Sequence, residues 1–74
     1  MANLIKTQLA VEIYQIFKSM DITQDEFAKL IGVKQPKISR ILNGHLSDFS
    51  LETLIEYLQC LGRYVEIKII CFQH

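Results

Sequence analysis

Apolar side chains recur at helical spacing through the first twenty residues. Ile5, Leu9, Ile13, Ile16, Phe17 and Met20 fall on one stripe. That stripe predicts a helix over residues 2–20 that turns these side chains into a core, with Asn3 as a fair N-cap near its start. Asp21 and Ile22 break the pattern. Residues 23–42 then carry two shorter periods separated by Gly32-Val33-Lys34. A further apolar face, Leu51, Leu54, Ile55, Leu58 and Leu61, predicts a helix over 50–61, started by Ser50 and closed by Gly62. Beyond it the period changes from helical to two. In 64–72, Val65, Ile67, Ile69 and Cys71 alternate with Glu66 and Lys68, which predicts a strand.

The middle stretch has the most local detail. Thr23 and Glu26 have the spacing of a capping box, and Ile22 and Phe27 flank them as a hydrophobic staple. Ala28 is small enough to let a second helix approach closely. Gly32 sits where the first of the two helices must stop, because a left-handed backbone is nearly free only for glycine. Val33 plugs the turn. Pro36 falls in the first turn of the second helix, where its missing N–H costs nothing. Ile38, Ile41 and Leu42 face inward, which leaves Gln35, Lys37, Ser39 and Arg40 outside. Lys34 is a poor N-cap for this helix, a local inconsistency. Asn43-Gly44 ends it with residues that tolerate positive φ. Phe49 and Leu54 are spaced for a second staple at the last helix.

The strand has no partner within the chain. Its backbone donors and acceptors need another strand, and a second copy related by a two-fold axis supplies one. Val65, Ile67 and Ile69 are then the dimerisation residues. A fifth helix or a frayed tail are the alternatives for this segment, and the density of Ile, Val and Tyr favours the strand.

Composition changes the picture in two ways. The chain has 74 residues, of which 50% are apolar. That is more than one small core hides, so self-association or a partner is expected. No apolar run has the ~18 residues of a membrane span, and no signal peptide is visible, so a cytoplasmic protein with reduced Cys60 and Cys71 is expected. Cys60, among the apolar residues of its helix, reads as a small core filler. Formal net charge is +0. The distribution is uneven, however: Lys29, Lys34, Lys37 and Arg40 follow one another with no acid between them, while the acids lie on either side. This is an electrostatic footprint suited to phosphate.

The combination Gln24, Ala28, Gly32-Val33, Ile38-Ser39 and Asn43-Gly44, continued by Phe49-Ser50-Leu51-Glu52-Thr53-Leu54 and Leu61-Gly62, resembles the Cro/C1-type (XRE) helix-turn-helix family. The resemblance covers nearly the whole chain. It implies a mostly α fold: one four-to-five-helix domain over 1–74, with one C-terminal β-strand pairing across a homodimer. It also implies double-stranded DNA as a partner, with the second helix of the 23–42 unit in the major groove. On the family's pattern Gln35 is the first base reader, its amide suited to adenine, and Gln24 contacts phosphate and braces it. Arg40, one and a half turns on and read as lying on the same face, suits guanine. Lys37 reaches a base or a phosphate, and Lys34, Ser39 and Asn43 reach the DNA backbone. Pro36 departs from the family, which can carry a polar base reader there; it offers only apolar contact. The tail resembles that of HipB-like antitoxins, and HigA-like antitoxins are the neighbouring comparison. That likeness implies an autorepressor of a palindromic operator, nucleoid-associated, with a toxin encoded beside it.

No catalytic constellation emerges. His45 and His74 are the only histidines, and with Cys60 and Cys71 they lack the spacing of a metal site. The glycines form no phosphate-cradling loop. Neither an enzyme, a cofactor nor a metal is expected. The competing reading is a protein-interaction module that neutralises or scaffolds a partner without binding DNA, for which the zero net charge and the apolar tail leave room.

Overall fold

The computed structural model describes residues 2–62, with side chains from Leu4 onward. Four helices follow in order: α1 (Ala2–Met20), α2 (Gln24–Ile31), α3 (Gln35–Leu42) and α4 (Leu51–Cys60). The expected strand, with Val65, Ile67 and Ile69, lies outside the described residues.

Helix α1 is the long wall. It packs mainly against α4 and also against α3, while α2 packs against α3 and, less extensively, α4. The core fills the space between. Phe27, Ile13, Ile38, Ile41, Leu54 and Leu58 are its fully buried side chains. Each stabilises the fold by roughly 1.5–3 kcal/mol relative to exposure. Ala10, Ile16, Ala28, Ile31, Phe49 and Tyr57 complete it, and among the described residues no polar or charged side chain is buried there. Phe17 and Phe27 meet with ring centroids 5.1 Å apart and tilted by 60°. Phe49 and Tyr57 meet nearly edge-on at 6.5 Å. Among the described residues no helix is long and apolar enough to cross a membrane.

Several local expectations are altered by packing. Helix α1 already begins at Ala2, so Asn3 lies inside its first turn and not ahead of it. Met20 is on the stripe yet 40% exposed, because α1 ends there and runs past the core before the chain turns at Asp21, which takes φ +54°. Cys60 is exposed rather than a core filler. It follows buried Leu58 by two positions, about 200° round a helix axis, which carries it to solvent. Tyr57 takes the inward place instead, and burial pushes its hydroxyl pKa up.

The capping box at α2 is complete. The Thr23 hydroxyl accepts from the Glu26 N–H at 3.1 Å, and the Thr23 N–H donates to the Glu26 carboxylate at 3.0 Å. Those bonds to Thr23 hold the Glu26 pKa below its ordinary value. A lowered folded-state pKa means that this contact stabilises the fold above the ordinary carboxylate range. The contribution is lost as pH falls through the lowered value. Helix α2 ends at Gly32 with φ +88°, where the Gly32 and Val33 N–H groups both donate to the Ala28 carbonyl, at 2.8 and 3.0 Å. At the end of α3 it is Gly44, φ +80°, that turns left-handed, while Asn43 keeps φ −95°.

A Cβ built on Gly32 meets nothing within 4 Å, so substitution there acts through the backbone alone. We expect Gly32→Ala to cost about 1–2 kcal/mol, and Gly32→Val more, because a β-branched residue resists positive φ. Ala28, 2% exposed, has no such space, and Ala28→Leu should overpack the core by about 1–3 kcal/mol. Urea denaturation of the three variants checks this. Wild-type midpoints for both Gly32 variants would place the helix stop elsewhere.

Candidate nucleic-acid interface

Helix α3 is only eight residues long, so its outer face is set by the two side chains it buries, Ile38 and Ile41. At about 100° per residue, Pro36, Arg40 and Asn43 then point away from the core, with Gln35 and Ser39 on one flank and Lys37 on the other. Exposure agrees: Pro36, Lys37, Arg40 and Asn43 are exposed, while Gln35 and Ser39 are half-buried. Gln35 and Arg40 do not share one line along the helix. Five residues advance the helix by about 140° beyond a full turn, so Gln35 stays on one flank while Arg40 points outward, and Pro36 lies between them.

The N-terminal edge of this face is built by both helices. The Gln35 side-chain amide donates to the Gln24 side-chain oxygen at 2.7 Å, joining the first residue of α3 to the first residue of α2. Both side chains are half-buried. The contact fixes the two amides relative to each other and leaves the Gln24 N–H₂ group and the Gln35 carbonyl oxygen as further hydrogen-bonding groups. Lys34 precedes α3 with extended backbone, φ −77° and ψ 146°, and makes no side-chain cap. Its poor fit as an N-cap is thus a property of the fold, and its ammonium stays exposed beside the turn.

The four cations divide into two pairs. Lys29 is bonded to Asp25 at 3.4 Å, one helical turn back. Arg40 is bonded to Asp48 at 3.3 Å, from the loop before α4. Lys34 and Lys37 have no ion pair among the described residues, and with Gly32 and Val33 they line an open concavity at the turn. The positive face is therefore narrower than the charge order suggested, and centred on Lys34 and Lys37. Asn43 turns its amide back onto the Ser39 carbonyl at 2.8 Å and lies 3.3 Å from the Ser39 hydroxyl, so both residues finish α3. Asp48 was not legible as part of the site. It lies eight residues beyond Arg40, and only the path of the loop brings them together.

The sequence of residues 2–70 matches the model of a helix-turn-helix domain family. A solved structure of a protein described as an XRE family transcriptional regulator superimposes with a TM-score of 0.89, at 31% identity, covering 96% of this chain and 80% of that one. The chain belongs to the XRE-type helix-turn-helix family. Protein P2 of Acyrthosiphon pisum secondary endosymbiont phage 1 is 40% identical over 45 residues, 61% of this chain and 48% of P2. The chain thus spans about half the length of that phage relative. In this helix-turn-helix domain the two-helix unit is α2 and α3, and the Gln24–Gln35 bond crosses it.

The bond makes a stability prediction of its own. Gln24→Ala and Gln35→Ala each leave a half-buried amide without its partner. A double-mutant cycle in urea should give a coupling of about 0.5–1.5 kcal/mol, the double variant losing less than the sum of the singles. Additive losses would show that the two amides do not act together.

Proposed function

We propose that this helix-turn-helix domain is a sequence-specific DNA-binding transcriptional regulator that reads double-stranded DNA with α3. One observation carries the reading. The Gln24–Gln35 bond presents a fixed amide pair at the leading end of α3, and Lys34 and Lys37, around the turn and on the opposite flank, have no acid paired to them among the described residues. Fixed amides suit base edges, and exposed lysines suit phosphate. Gln35 is assigned to a base, Gln24 to phosphate and to bracing Gln35, Arg40 to guanine, and Pro36 to an apolar contact such as a thymine methyl. Lys34, Lys37, Ser39 and Asn43 are assigned to the DNA backbone.

The fuller form of the proposal is a homodimeric, antitoxin-like autorepressor at a pseudo-palindromic operator, its half-sites about 34–36 Å apart. The two-fold is assigned to residues 64–72, with Val65, Ile67 and Ile69 covering α1 and α4. An apolar surface on α1 supports a protein partner as well. Leu4, Val11 and Tyr14 are exposed, and the last two line a groove with Leu42 and Leu46. The same surface favours the second reading, an interaction module that binds a protein and not DNA.

Selection of duplexes from a randomised pool separates the two. Binding of a defined site well above random DNA at physiological salt supports the regulator, and equal binding supports the module. On the selected site, Arg40→Ala should cost about 1–3 kcal/mol and relax preference at one base pair. Lys37→Ala, as a phosphate contact, should weaken all sequences alike and reduce the salt slope by about 1.

The dimer has its own test. Deleting the residues after Gly62, or placing a carboxylate in the seam with Ile67→Asp, should convert the protein to a monomer at micromolar concentration. Operator affinity should fall with it, since two half-site contacts are no longer linked. Analytical ultracentrifugation reads the mass, and a truncated chain that remains dimeric would place the interface elsewhere.

A further inference from the structure

The loop after α3 holds Arg40 at two points. The His45 N–H donates to the Arg40 carbonyl at 2.9 Å, and the Arg40 Nη1 donates to Asp48 Oδ2 at 3.3 Å. The loop itself is anchored. Phe49, next to Asp48, is 4% exposed, Leu46 packs against the core, and the Phe49 N–H donates to the Leu46 carbonyl at 3.0 Å. The Asp48 carboxylate is therefore held by a short turn pinned on both sides, while the side chains of the pair remain 54% and 68% exposed.

An exposed pair of this kind does little for stability. What it changes is the guanidinium's freedom and charge. Arginine carries five N–H donors in a fixed fork. Asp48 engages one at Nη1, and the edge formed by Nε and Nη2 is left to meet the O6 and N7 acceptors of a guanine in bidentate fashion. A held guanidinium loses less rotamer freedom on binding than a free one. Asp48 also cancels the charge locally, so Arg40 is less drawn to the nearest phosphate, which carries no sequence information.

We propose that Asp48 is a positioning residue for base reading: it holds Arg40 for one guanine in the major groove and keeps it off the DNA backbone. This rests on the DNA-reading function proposed above. It assigns Asp48, which the charge order of the chain places outside the basic stretch, to the specificity of that stretch.

The probes are the duplex that wild-type protein selects from a randomised pool, its single-base-pair variants, and random-sequence duplex. Asp48→Asn keeps the size of the side chain and removes its charge, at an exposed position where folding is not at risk. It should lower the preference for the guanine that Arg40→Ala identifies by roughly two- to fivefold, toward the level of Arg40→Ala itself. Random duplex should be bound several-fold more tightly, with a salt slope steeper by about 0.9, the mark of one added phosphate contact. Asp48→Glu, which restores the carboxylate, should recover most of the preference. In the Arg40→Ala background, Asp48→Asn should change the preference no further. An Asp48→Asn protein with wild-type preference and wild-type salt slope overturns the proposal. Wild-type protein that selects no duplex at all overturns the DNA-reading function as well, so the two failures are told apart.

Discussion

Everything on the outer face of α3 depends on the burial of Ile38 and Ile41. An eight-residue helix does not persist alone in water, because too few propagating bonds offset the cost of its nucleus. Helix α3 exists because those two side chains, with 0% and 2% exposure, close the core against Phe27 and the residues of α1 and α4. Once they are inside, the 3.6-residue repeat leaves no choice about which residues are outside. Pro36, Arg40 and Asn43 are presented as a geometric consequence, with Gln35 and Lys37 at the borders.

The turn converts this packing into a fixed arrangement of two helices. Gly32 takes the left-handed conformation that reverses the chain, and both amides after α2 return to the Ala28 carbonyl. Ala28 itself is buried, and its small size allows the close contact. The Gln24–Gln35 bond then lies at the open side of the same unit. Apolar packing sets the distance between α2 and α3, and the polar bond sets how their leading side chains are presented. The two devices act on different scales, one between helix axes and one between two side chains.

Electrostatics refines the face and does not hold the fold. Among the described residues no charged side chain is buried, and the ion pairs Lys29–Asp25 and Arg40–Asp48 are exposed. They redistribute charge over the surface: two of the four cations of the unit are matched locally, and Lys34 and Lys37 are left at the turn. A protein with zero net charge thus has a positive spot rather than a positive surface. In the proposed DNA-reading function, weak general attraction to nucleic acid leaves more of the discrimination to fixed hydrogen-bonding groups.

The features legible in the sequence were those set by neighbours along the chain. The capping box of Thr23 and Glu26, the stop at Gly32, and the inward Ile38 and Ile41 follow from spacings of three to four residues and from one glycine, and the structure has them all. The uncapped start of α3 at Lys34 was visible in the same way. The features that the sequence left open depend on where elements end or meet in space. Met20 lies on the apolar stripe but beyond the core. Tyr57, and not Cys60, turns inward because α1 and α2 decide which side of α4 is covered. Arg40 sits opposite Asp48 because a loop pinned by Leu46 and Phe49 carries the carboxylate back to α3. Helical periodicity reports the direction of a side chain around its own axis; only the packing of one element on another decides what waits for it there.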